Sequence, residues 1–232
     1  MRPTRQVSIH RLDDGDVESL DDVVAVEQAV SIAVSGVRRI KAVCSPDGLG
    51  EWVLGYLASE GLIRSPEDVV HIAHEGTDYR VRLRHEAEVP APLRVRSDFN
   101  LGASRIRDVV SETASRASCF RETGGTHVMA IADGTGIRTL VEDISRTCAL
   151  EKAIGEALIA GVDFGQSFSV LSSRVPSRMV RKLARCGIPI AAAVSAPTAE
   201  AVDLAEELGI CLCGFVRCDR MNVYSHGWRI GL

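Results

Sequence analysis

The sequence predicts an α/β protein: a largely parallel sheet with an antiparallel edge over 101–232, a smaller α+β part over 26–100, and an acidic arm over 1–25. Three observations carry this. From residue 118 onward, apolar runs with strand spacing alternate with runs of helical spacing, and strands separated by one helix each imply crossovers in a parallel sheet. Upstream, two alternating runs meet at Ser35-Gly36, which reads as a hairpin because glycine supplies the positive φ a tight turn needs. Finally, the ends of the downstream strands carry small, hydroxyl or charged residues in TGGTH (123–127), VEDISR (141–146), LSSR (171–174), VSAPT (194–198) and GFVRCDRMNVYS (214–225). Ligands of open α/β sheets bind at that edge.

Taken in order, residues 13–22 (DDGDVESLDD) are acid-rich and read as a solvated, partly mobile arm. Strands follow over 26–34 and 37–44. Ser45-Pro46-Asp47 then opens a helix in which Trp52, Leu54, Leu57 and Ala58 recur at helical spacing, closed by Gly61. Strands over 68–74 and 79–84 come next. In the second, Arg80, Arg82 and Arg84 share one face opposite Val81 and Leu83, a stripe that either faces water or holds phosphates. Pro90 and Pro92 mark a connector over 85–97, and a helix is expected over 104–117. The downstream part reads as a hairpin (126–132 with 136–142), helix 147–160, strand 167–171, helix 176–186, strand 188–194, helix 198–208 and strand 210–216.

Composition bounds the function. With 27 basic and 31 acidic residues the formal charge is -4, which argues against bulk nucleic-acid or anionic-membrane binding. No apolar run approaches the roughly 20 residues a bilayer span needs. Arg2, Arg5 and Arg11 interrupt the first twelve residues, so no signal peptide is read and a soluble, cytoplasmic protein is expected. Seven cysteines, scattered and without CxxC spacing, predict free thiols and no structural metal. Cys211 and Cys213 share one strand face and read as core.

The motifs have a chemical reading. Ser172 with Arg174, and Ser195, Pro197 and Thr198, precede helices whose first-turn N–H groups favour anions; their hydroxyls either cap the helix or contact phosphate. Thr123, Gly124 and Gly125 offer a backbone that a ligand can approach, with His127 beyond. Glu142 and Asp143 can accept a proton, hold a guanidine-like base edge, or pair with Arg146. Cys148 lies in the first turn of a helix that Ser145 can cap, where the dipole and Arg146 lower a thiol pKa, making it the candidate reactive sulfur.

Read together, Phe120 to His127, Glu142-Asp143 with Arg146 and Ala149 to Lys152, Ser172 with Arg174, Ser195 to Thr198, Ala205 to Ile210, Gly214 to Arg217 and Asn222 to Tyr224 resemble, in order, the C-terminal blocks of the formate dehydrogenase accessory sulfurtransferase family (FdhD-type). Val30 to Pro46 and Leu54 to Ile63 resemble its N-terminal hairpin and GFLLSEGII helix. The resemblance implies a cytidine-deaminase-like three-layer α/β/α domain with a smaller N-terminal part, usually dimeric. It also implies partners, a cysteine desulfurase and the formate dehydrogenase catalytic subunit, and a ligand, the molybdenum (or tungsten) bis-guanine-dinucleotide cofactor. Such a polyanion with two purine ends suits the strand-end residues, Arg217 and Asn222 included, and a carboxylate of Glu142 or Asp143 suits a guanine edge.

Three stretches depart from the family pattern. Its CG-x-CG loop is Ser97-Asp98-Phe99-Asn100-Leu101-Gly102-Ala103-Ser104 here, without cysteine; its RHN is Arg146-Thr147-Cys148; and Arg178 stands where SGR-x-S-x-E has an acid. Two functions are therefore expected as alternatives: cofactor sulfuration with Cys148 or another thiol in place of the lost pair, or a non-catalytic paralogue that binds cofactor or client. A zinc nucleoside deaminase would need a His-x-Glu with Pro-Cys-x-x-Cys set, which the sequence lacks.

Overall fold

A computed structural model describes residues 3–35, 38–85 and 90–232. Strands β1 (Thr4–Asp13) and β2 (Asp16–Ala25) pair antiparallel as a separate two-stranded sheet. The acidic arm of the sequence reading is thus a long hairpin. Asp14 and Gly15 both adopt positive φ, the conformation a two-residue hairpin turn demands. Ile9 faces Leu20 and Leu12 faces Val17 across the ladder, apolar pairs that the surrounding carboxylates obscured in the sequence.

The second sheet has the order β4-β3-β6-β5, from β3 (Gln28–Val34), β4 (Arg38–Cys44), β5 (Val69–Glu75) and β6 (Asp78–Leu83). The β3–β4 hairpin forms as expected, although its predicted turn residue Gly36 lies outside the described residues. Along β6, Tyr79 and Val81 are buried while Arg80 and Arg82 are exposed, so the arginine stripe is the solvated face of the sheet.

The third sheet, of order β12-β11-β10-β9-β7-β8, organises the rest: β7 (His127–Ala132), β8 (Ile137–Asp143), β9 (Phe168–Leu171), β10 (Ile190–Ala193), β11 (Cys211–Gly214) and β12 (Asn222–Val223). Only the β9–β10 and β10–β11 pairings of this sheet are parallel, and the pairings toward both edges, β11–β12 on one side and β9–β7–β8 on the other, are antiparallel, where the sequence predicted one antiparallel edge. The central strands β9, β10 and β11 are buried at every position because both faces are covered. Met129, Ile131, Leu171, Ala191 and Leu212 join one buried cluster, while Ala130, Phe168, Val170, Ile190 and Ala192 alternate into another. Cys211 and Cys213 lie in the second cluster, fully buried with sulfurs 3.8 Å apart, as core.

Helix α2 (Ala103–Arg116) covers the second cluster through Ile106, Val109 and Val110. The short α3 (Ser118–Thr123), unforeseen in the sequence, follows it. The first cluster is shared by α4 (Arg146–Ile159), α5 (Ser177–Cys186), α6 (Ala199–Leu208) and α1 (Leu49–Ser59), and continues into β3 and β6. Helices α1 and α4 touch backbone to backbone: a Cβ on Gly55 would lie 1.6 Å from the Glu151 carbonyl oxygen, and one on Gly155 1.9 Å from that of Glu51. Among the described residues no helix is long and apolar enough to cross a membrane.

Candidate functional site

The carboxyl ends of β9, β10 and β11 gather the strand-end motifs. The Phe215 N–H donates to the Ser195 carbonyl and the Val175 N–H to that of Ala196. Gly214 is tightly packed: a Cβ there would meet Pro197 and Tyr224 at 3.0 Å and the Ser195 oxygen at 3.2 Å, so separate sequence blocks abut at one glycine. Arg217 is exposed and donates to the Val194 carbonyl at 2.7 Å. Asn222, opposite Gly214 in the ladder, donates to the Tyr224 hydroxyl.

Beside this edge lies a cavity of about 480 Å³. Gly124, Gly125, Thr126, His127, Ser172 and Val194 line one side. Gly124 ends α3 in the left-handed conformation, which turns the chain back along β7. The Ser172 hydroxyl accepts from the Val128 N–H at 3.0 Å and lies 3.5 Å from His127 Nδ1. Burial, with a smaller contribution from Arg146, holds His127 below its ordinary pKa and favours the neutral imidazole. The opposite wall, Val110, Ala114, Ala117 and Phe120, was not assigned from sequence. Its signal was there in the helical spacing of Val110, Ala114 and Ala117, but a stripe of that kind is equally the mark of a core-facing helix.

Several other sequence candidates make contacts within the fold. Thr198 caps α6, accepting from the Ala201 N–H at 3.3 Å. Thr123 donates to the Cys119 carbonyl, and Arg174 is exposed. Neither carboxylate pairs with Arg146 through a salt bridge or offers an idle edge to a purine. Glu142 accepts from the Cys119 and Phe120 N–H groups at 2.9 and 2.6 Å, capping α3. Asp143 is fully buried, 2.6 Å from Lys152, and accepts the N–H groups of Ser45 and Ser145. Burial pushes its carboxyl above the ordinary range, opposed by Lys152 and both N–H donors.

The reading of Cys148 as an activated thiol is corrected. Ser145 does cap α4, but the Cys148 side chain is buried against Cys44. The hydrogen bond between the two sulfurs and the loss of water both raise its pKa, overriding the first-turn dipole. Burial also raises Cys119, and of the seven cysteines only Cys218 is exposed. Where the family pattern has cysteines, residues 97–101 are tied down: buried Arg229 donates to the Ser97 and Phe99 carbonyls at 2.9 and 3.2 Å, and Ser97 to the Gly165 carbonyl at 2.6 Å. The other departures meet in space. Thr147, Cys148 and Arg178 line a second cavity, about 530 Å³, that shares no lining residue with the first.

Comparison with known proteins identifies the family. The family model described as FdhD/NarQ family matches residues 25–96 and 83–231. A protein named sulfur carrier protein FdhD from Methanothermobacter thermautotrophicus is 35% identical, with 97% of this chain and 98% of that one covered. Its namesake in Bacillus subtilis is 29% identical over 96% and 95%. A crystal structure assigned as a formate dehydrogenase accessory protein of Desulfotalea psychrophila superposes with a TM-score of 0.85 at 24% identity, covering 99% of this chain and 100% of that one. Motif order, fold and full-length similarity lead to one conclusion: the chain belongs to the FdhD/NarQ family.

Proposed function

We propose that this chain assists formate dehydrogenase maturation by holding the molybdenum or tungsten bis-guanine-dinucleotide cofactor as cargo, without a persulfide on Cys148. The observation that carries the reading is the convergence of Gly124, Gly125, His127 and Ser172 on one largely apolar cavity of about 480 Å³, within the usual size of a small-molecule site. Val110, Ala114 and Val170 suit the face of a planar base, and the Ser172 hydroxyl and the His127 imidazole suit its polar edge. The exposed guanidinium of Arg217, hydrogen-bonded to the carbonyl of the lining residue Val194, supports a phosphate contact at the cavity mouth. The names of the relatives, sulfur carrier protein and formate dehydrogenase accessory protein, support the maturation role.

Ala114 is an exposed residue of α2 at the wall of this cavity, so Ala114→Trp blocks it without entering the core. Calorimetry with GDP as a probe for one guanine-nucleotide end of the cofactor is expected to show at least tenfold weaker binding to the variant at unchanged Tm. Equal binding by both proteins would remove the cavity from the reading.

Sulfur transfer is the second reading, and the exposure of Cys218 is what favours it. A carrier needs a thiolate that its partner can reach, and the burial of Cys148 with its raised pKa speaks for Cys218 over it. After incubation with a cysteine desulfurase, its cofactor and free cysteine, peptide mass spectrometry is expected to find no added sulfur on Cys148. A reducible adduct on Cys218, lost in Cys218→Ser, would instead make the chain a carrier through a relocated thiol.

A further inference from the structure

The second cavity carries an inference of its own, independent of the base-binding cavity. It opens between β4 and the helices α1, α4 and α5, and five cationic side chains line it: Lys41, Arg178, Arg181, Lys182 and Arg185. Among the described residues two carboxylates, Glu60 and Glu151, line the cavity with them, and both are already engaged. Glu151 accepts from Trp52 Nε1 at 2.8 Å and from Lys182 at 2.8 Å, while Glu60 accepts from Lys182 at 2.7 Å and Arg185 at 3.3 Å. Lys182 is buried and satisfied by these partners and by Ser59, so it belongs to the cavity's foundation. The charge left over lies at the rim, on exposed Lys41, Arg178 and Arg181.

That rim is pre-arranged. Arg178 and Arg181 are three residues apart on α5 and so share a helix face. Arg178 Nη2 donates to Thr147 Oγ1 at 2.6 Å, which holds the guanidinium against the first turn of α4 while leaving its other N–H groups available. That turn contributes Ser145 and Thr147 to the lining, and its dipole adds positive potential where the arginines point. Planar guanidinium groups match the geometry of tetrahedral oxyanions. At about 530 Å³ the cavity exceeds what one small ion fills.

We propose that this cavity is a binding site for a multiply charged phosphate group, either free pyrophosphate or the phosphate end of a larger molecule, held by Arg178, Arg181 and Lys41. The test is calorimetry of the full-length chain with pyrophosphate at low ionic strength in a phosphate-free buffer. Each charge-assisted contact contributes about tenfold or more in affinity. Arg178→Ala/Arg181→Ala is therefore expected to bind pyrophosphate about 100-fold more weakly, and Lys41→Ala, on a separate element, about tenfold. Ala114→Trp, in the other cavity, should leave pyrophosphate binding unchanged. A GDP titration distinguishes the sources. Weaker GDP binding in the double-arginine variant identifies the phosphate end of a nucleotide as the occupant, and undiminished GDP binding identifies the free oxyanion. Absence of pyrophosphate binding at millimolar concentration, or equal binding by wild type and both cationic variants, overturns the proposal.

Discussion

Lys152→Met is expected to destabilise the protein by about 3–5 kcal/mol, the usual consequence of removing one partner of a buried ion pair. Lys152 and Asp143 have side chains only 2% and 0% exposed, with Nζ and the carboxylate 2.6 Å apart. The ammonium also donates to the Ser45 carbonyl at 2.8 Å, and the Ser45 hydroxyl accepts the Ile144 N–H. This one cation therefore ties the end of the β3–β4 hairpin to the end of β8 and to α4. Without it, Asp143 stays in a dry site with two N–H donors and no counter-charge, so its pKa rises further above the unfolded value. A carboxyl raised in the folded state contributes stability that is complete below its unfolded pKa and lost as pH rises through its folded one. The variant should thus be least impaired near pH 4 and most impaired at pH 7 and above. Urea denaturation at both pH values, with Lys152→Met/Asp143→Leu as the paired replacement, measures this. A deficit independent of pH, or one left intact by the double replacement, would show that the ion pair is not its source.

Gly55→Ala has the second large expected effect. The added Cβ would sit 1.6 Å from the Glu151 carbonyl oxygen, and both contacting groups are helix backbone, so the helices themselves must separate. Separation also pulls Trp52 from Glu151 and disturbs the ion pairs that Glu151 and Glu60 make with Lys182. Overpacking of this kind costs about 3 kcal/mol or more, a fall in Tm on the order of 10 °C for a chain of this length. Gly50, on the same helix, has open space where its Cβ would go, so Gly50→Ala should be neutral or stabilise by up to about 1 kcal/mol through helix propensity. Thermal unfolding of the two variants side by side is the check. Equal behaviour would mean that the helix contact adapts without loss.

Both effects were invisible in the sequence for a common reason. Gly55 sits in a helical stretch where glycine reads only as a weak helix former, and its partner Gly155 is a hundred residues away. Lys152 and Asp143 read as ordinary charges because nothing local shows that water is excluded from them. The same gap explains Cys148. Its capped first-turn position is local and was read correctly, whereas the Cys44 sulfur packed against it comes from another sheet. The β1–β2 hairpin was missed for a different reason: its carboxylates dominated the reading, and the Asp14-Gly15 turn between alternating strands carried the better signal.

What the sequence by itself determined is what depends on short-range periodicity and on linear order. The alternation of strands and helices after residue 118, the burial of Cys211 and Cys213, the solvated arginine face of β6 and the family could all be read along the chain. Tertiary structure alone decided which of the chemically suggestive side chains face a cavity. It turned Glu142 into a cap for α3 and Asp143 into a buried ion-pair partner, and it brought Thr147, Cys148 and Arg178 to one cationic cavity and His127 and Ser172 to another. The physical reason is that burial and counter-charge, which set what a carboxylate, thiol or guanidinium does, come from residues on other elements that only packing makes neighbours.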